Sequence, residues 1–170
     1  MKNIIIAITV CSIFVLVGCE DVHPEKVSNS QSLSSTDTSQ AKSETYKIGD
    51  SVKAGNLIFT VNSTRIDKGN EIIKPKDGNI YYIVDVTIEN SGNKSKIVSS
   101  IMMFKLSDSD GYNYTVTFGP ETKGQLDGEI SAGKKMRGEL IFEIPEQTKG
   151  HELVIDPTLG SGQIIVKLDK

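Results

Sequence analysis

Apolar and polar positions alternate with a period of two over much of the chain beyond Tyr46. Leu57, Phe59 and Val61 alternate with Ile58, Thr60 and Asn62, and Tyr82, Val84, Val86 and Ile88 alternate with Tyr81, Ile83, Asp85, Thr87 and Glu89. Leu140, Phe142 and Ile144 alternate with Glu139, Ile141 and Glu143, and Ile164, Val166 and Leu168 with Ile165 and Lys167. Successive side chains of a strand point to opposite faces, so the pattern predicts strands with one side on a core. Turn chemistry interrupts it at Pro75-Lys76-Asp77-Gly78-Asn79, Asn90-Ser91-Gly92-Asn93, Asp108-Ser109-Asp110-Gly111, Ala132-Gly133 and Pro145. No stretch beyond Tyr46 keeps the three-four apolar spacing of an amphipathic helix. The expectation is an all-β domain over residues 46–170, an antiparallel β-sandwich of about seven or eight short strands.

Two different segments precede it. Met1-Lys2-Asn3 leads into an apolar run from Ile4 to Val17, which ends in Leu16-Val17-Gly18-Cys19. One positive charge, a short apolar run and a small residue before the cut describe a secretory leader, too short to span a membrane comfortably. The tetrapeptide resembles the lipobox of bacterial lipoproteins, in which the cysteine is lipidated and becomes the new N-terminus. Residues 1–18 are therefore read as a cleaved leader and Cys19 as the lipid anchor, holding the protein to the outer face of the cell membrane. The other reading is an ordinary signal peptide with an incidental Cys19. Residues 19–45 are rich in Ser and Thr and contain no aromatic residue. Such a segment buries too little to offset its ordering entropy, so it is read as a disordered tether.

Four blocks of the domain carry a family resemblance. The runs Ile48–Ser63, Gly78–Ser95, Phe104–Tyr114 and Leu126–Glu146 resemble the domain of unknown function 4352, found on lipoproteins and secreted proteins of Gram-positive bacteria. That family is similar in fold to the immunoglobulin-like immunoprotective extracellular antigen of mycobacteria. The resemblance covers essentially all of residues 46–170 and implies an immunoglobulin-like sandwich in an exported setting. It implies no reaction and no catalytic residue. The Cys and Trp landmarks of antibody-type domains are missing, since the chain has no Trp at all.

Composition narrows the chemistry. The chain has two cysteines, Cys11 in the leader and Cys19, so the domain must fold on its apolar core without a disulfide. Nineteen Lys and Arg stand against 22 Asp and Glu, a net charge of −3. The dispersed charge gives no footprint for nucleic acid and no polybasic membrane patch, so attachment would rest on the lipid. His23 lies in the tether, which leaves His151 as the one base for a catalytic set; in a polar connection after Gly150 it is expected to be an exposed histidine. No enzyme and no cofactor is therefore expected.

Asp108 and Asp110 are weak candidates for a cation, because Asp108-Ser109-Asp110-Gly111 superficially matches the start of a calcium loop. It lacks the later ligands of such a loop, and a hairpin turn accounts for the same residues. Asp127 or Glu129 would have to approach to complete a site. Thr117–Gly128 is the longest stretch without alternation, read as a crossover between sheets that carries recognition or only plugs the core rim with Phe118. Tyr81, placed on the outer face, together with Tyr112, Tyr114 and Phe118, makes up the candidate binding surface; the tyrosines otherwise cap the core with their hydroxyls in water. The leading functional expectation is a lipid-anchored, non-catalytic interaction module with an unknown protein or envelope partner. The alternative is an envelope accessory that binds a small ligand or a cation.

Overall fold

The long alternating runs are strands, and each buries the side that the pattern assigns to a core. A computed structural model describes residues 25–26, 45–157 and 162–169; the leader, Cys19 and most of the tether lie outside the described residues. One five-stranded sheet, sheet A, has the order β1 (Glu25–Lys26), β3 (Ser51–Ala54), β4 (Leu57–Asp67), β5 (Asn79–Asn90) and β10 (Lys135–Pro145). A second, sheet B, has the order β2 (Thr45–Lys47), β12 (Ile164–Lys167), β11 (Glu152–Ile155), β7 (Phe104–Ser107) and β8 (Asn113–Thr115). A small third sheet pairs β6 (Lys96–Val98) with β9 (Gly128–Ile130). Among the described residues the single helical turn, α1 (Ser100–Met103), links β6 to β7.

Neighbouring strands are antiparallel except β12 and β2, which run parallel and join the two ends of the domain. The core lies between sheets A and B. Val61, Phe59, Val84, Val86, Ile88, Leu140, Phe142 and Ile144 face it from sheet A, and Phe104, Leu106, Leu153, Ile155, Ile164 and Val166 from sheet B. Phe59 and Phe104 meet edge to face across the layers at 6.3 Å, a geometry that suits the ring quadrupoles. The fold is the all-β sandwich expected, with more strands than the alternation marked. Strands of two to four residues such as β1, β3 and β9 show too few alternations to be read from sequence.

Two features of sheet A bear on function. At β4 the register shifts between Val61 and Ser63, so Asn62 is bulged. A bulge reverses the facing of every residue beyond it, which moves Arg65 to the outer face, paired with Ile83. Asn62 ties the irregularity to β5 by donating to Asp85 and Thr87, each at 2.9 Å. At the far edge, the chain leaves β8 of sheet B and bridges to sheet A, where Val116 pairs with Phe142 and the Thr117 N–H donates to the Ile141 carbonyl at 2.9 Å.

Phe142 is fully buried while Phe118 is exposed, which gives a direct test of the layer assignment. Phe142→Ala is expected to cost about 3–5 kcal/mol, and Phe118→Ala to change stability by no more than about 0.5 kcal/mol. Urea denaturation of the two variants measures both; equal losses would contradict the assignment.

Candidate binding groove beside strand β10

The outer face of sheet A carries an electrostatic problem. Asp85 of β5 and Glu139 of β10 are direct cross-strand partners, and like charges so placed repel. Each is matched by an arginine. Arg137 donates to both oxygens of Asp85 at 3.0 and 2.6 Å. Arg65, re-aimed by the bulge, donates to both oxygens of Glu139 at 3.3 and 3.0 Å. These hydrogen bonds are the largest influence on the acids and hold both carboxyls below the usual carboxylate range, against the opposing effect of burial.

Glu139 also takes the backbone N–H of Lys123 at 3.0 Å, and Arg65 donates to the Glu121 carbonyl at 3.3 Å. The crossover loop after β8 is thereby fastened onto the outer face of the sheet. Its seat is close. On the outer face, a β-carbon on Gly119 would come within 3.2 Å of Ile141 and Tyr81. Past the β10 edge, one on Gly138, which faces the core side with Leu140, would come within 2.7 Å of the Gln125 backbone. Beneath the loop lies a second small apolar cluster of Tyr81, Ile83 and Ile141.

A groove of about 370 Å³ opens between this loop, β10 and α1. The α1 wall is fixed by Asp127, which accepts the Ser100 N–H and hydroxyl, both at 2.8 Å. Val116, Leu126, Leu140 and Ile141 contribute apolar lining, and Ile101 and Phe118 stand among the lining residues. Phe118 is 94 % exposed and Ile101 62 %. Ile97 and Met102, near Ile101 in the chain, are also exposed.

The residues expected to form a binding surface divide. Phe118 is at the groove and does not plug the core rim. Tyr112 is exposed, on the hairpin, and does not line the groove. Tyr81 corrects the expectation: it is 4 % exposed, because the crossover loop covers the outer face on which alternation placed it. Tyr114 is half-buried and donates its hydroxyl to Asp108 at 2.7 Å. Burial, and then that hydrogen bond, push the Tyr114 phenol up to about 12.

Asp108 serves the hairpin. It is buried and accepts the N–H groups of Asp110 and Tyr112 at 3.0 and 2.9 Å besides the Tyr114 hydroxyl. Gly111 takes the positive φ of +85° that closes the turn. Asp110 is exposed, and Asp127 is engaged with Ser100. Among the described residues, no three His, Cys, Asp or Glu side chains converge as metal ligands.

His151 is a second correction. It is only 8 % exposed, with its ring 4.7 Å from that of Tyr82. Nδ1 lies 3.2 Å from Asp169 and Nε2 lies 3.0 Å from the Thr148 hydroxyl. This row of hydroxyl, imidazole and carboxylate has the order of a nucleophilic triad, but Thr148 directs its proton to the Pro145 carbonyl at 2.9 Å. Asp169 also takes the His151 backbone N–H at 2.8 Å, and the Leu168 N–H donates to the His151 carbonyl at 2.9 Å. The arrangement fastens the C-terminal segment to the start of β11. Sequence reasoning placed the histidine in solvent because nothing local in the sequence reveals the approach of Asp169.

The groove residues Ile101 and Glu139, and Arg65 that holds Glu139, carry no distinguishing signal in the sequence. The bulge that brings Arg65 outward depends on pairing with β5, which alternation alone does not encode.

A two-layer β-sandwich with an apolar groove at one sheet edge and no assembled catalytic set among the described residues is the class this fold and site define. The chain belongs to the family described as a domain of unknown function, DUF4352, which matches residues 46–165. It is 36 % identical over 128 residues to the uncharacterised lipoprotein YjhA of Bacillus subtilis, covering 67 % of this chain and 60 % of that protein's length. The crystal structure of the Bacillus subtilis YjhA protein superimposes with a TM-score of 0.59 at 32 % identity, over 73 % of this chain and 99 % of that one. The secreted protein MPT63 of Mycobacterium tuberculosis shares the fold, with a TM-score of 0.52 at 16 % identity over 77 % of this chain and all of that one.

Asp85, Asp108 and Glu139 all bind protons less readily folded than unfolded. For Asp108 the Tyr114 hydroxyl is the largest cause. Their contribution is complete above the ordinary carboxylate range, near pH of about 4, and is lost as pH falls through the lowered folded values. The urea midpoint should therefore fall between pH 6 and pH 2, and Tyr114→Phe should flatten that fall. A profile unaltered by Tyr114→Phe would contradict the role given to Asp108.

Proposed function

We propose that the protein is a lipid-anchored, non-catalytic binding module, held at the outer face of the cell membrane through Cys19. In this reading the groove beside β10 takes an apolar segment of an envelope macromolecule. One observation carries it: Phe118 and Ile101 are exposed at the groove, while the loop bearing Phe118 is fastened by backbone and side-chain hydrogen bonds. Large apolar side chains held rigidly in solvent mark contact surfaces, because holding the loop in place before contact lowers the ordering cost of binding. The relationship to a lipoprotein supports the anchored setting. The volume of the groove also suits a small ligand, so the test must separate the two occupants.

A photo-crosslinking residue in place of Phe118, in cells, is expected to give a discrete macromolecular adduct that Ile101→Ser abolishes without changing the melting temperature. The same residue in place of Lys105, on sheet B, should give none. An adduct pattern identical at the two positions, or none at 118, would contradict a macromolecular partner. Cys19→Ala should remove the protein from the membrane fraction or leave it unprocessed; unchanged fractionation and migration would contradict the anchor.

A further inference from the structure

Sheet A has two edges, and the chain treats them differently. The β10 edge is bridged by Val116 and bears the groove. The opposite edge, the outer side of β3, would be left with unpaired backbone groups, a template for any extended segment. It is occupied by Glu25–Lys26, which pair antiparallel with Lys53 and Val52. These two residues lie in the stretch read from sequence as a tether.

We propose that the outer edge of β3 is the docking surface for the anchor-proximal linker of this same chain, and that this docking turns the β3 edge toward the membrane and the groove away from it. The proposal rests on the reading of Cys19 as the lipid anchor. The length of chain supports the occupant. Glu25 follows Cys19 by six positions, which reach about 20 Å at most, whereas a tether ending at Tyr46 would reach more than four times as far. The intervening residues 27–44 extend to about 60 Å, ample to carry the chain from the β3 edge of sheet A to β2 in sheet B. From β1 to β10 there are four strand spacings, about 19 Å. A domain held at its β1 side can turn β10, Phe118 and Ile101 to the bilayer only with the six positions from Cys19 to Glu25 almost fully extended, so the orientation with the groove remote from the bilayer is favoured. A swivelling tether would leave the groove exposed to the membrane for part of the time, where apolar side chains partition into lipid. A seated linker disfavours this by shortening the chain between anchor and domain, and it blocks the edge against other chains.

Two measurements test the proposal. Residues opposed in an antiparallel pair have Cα atoms about 4.5–5.5 Å apart, within the span a disulfide bridges. In the full chain carrying Cys11→Ala and Cys19→Ser, Glu25→Cys with Lys53→Cys should oxidise to an intramolecular disulfide. Glu25→Cys with Lys105→Cys, on the other sheet, should stay reduced. Equal oxidation of the two pairs, no disulfide, or a linked dimer would overturn the docking, and this result does not depend on lipidation. In the lipidated protein on its membrane, a donor dye on Lys53→Cys should transfer energy to a lipid-bound acceptor more efficiently than one on Lys123→Cys. Equal transfer from a protein that remains in the membrane fraction would overturn the orientation. Loss from the membrane fraction would be a failure of the anchor reading instead.

Discussion

The carboxylate of Glu139 is the constraint on which the outer architecture of sheet A depends. It sits opposite Asp85, so it is stable there only with a cation supplied from elsewhere. Arg65 supplies it, at 3.0 Å, and reaches the outer face only because Asn62 is bulged out of register. The second partner of Glu139, the Lys123 N–H, belongs to the crossover loop. One acidic side chain thus joins the bulged strand, the edge strand and the loop. The ion pair is partly exposed and by itself is worth little. Its effect is positional, because it holds backbone that would otherwise be free to leave.

Once the loop is down, two consequences follow from sterics and solvation. Tyr81, Ile83 and Ile141 are removed from water, which makes the seated loop favourable in apolar area as well as in hydrogen bonds. Phe118 is then directed outward, because the outer face beneath the loop is already filled. An exposed aromatic residue here is the product of a packed layer below it. The same sheet is closed at its other edge by Glu25–Lys26. Sheet A therefore has Glu25–Lys26 paired along one edge and the groove at the other.

What could be read from the sequence follows the same physics. Period-two alternation reports burial on a face, and the inward residues Leu140, Phe142 and Ile144 are buried as that pattern requires. Asp110-Gly111 is a hairpin turn because the conformation that closes it is local. Tyr81 and His151 were misplaced for one reason: each is buried by a segment distant in sequence, the crossover loop in one case and Asp169 in the other. Alternation also could not reveal the groove, whose walls come from α1, β10 and the loop, or the bulge, which exists only relative to β5. The pairing of Glu25–Lys26 involves main-chain groups, so a Ser- and Thr-rich composition gave no sign of it.

The central claim is that Glu139 holds the crossover loop over the outer face and so creates the groove. Nitration of Tyr81, mapped by mass spectrometry in the natural protein and in Glu139→Ala, tests it most directly. The account predicts that Tyr81 is protected in the first and modified in the second, while the β-type circular dichroism and cooperative denaturation persist in both. Protection of Tyr81 in Glu139→Ala, with the fold intact, would contradict it.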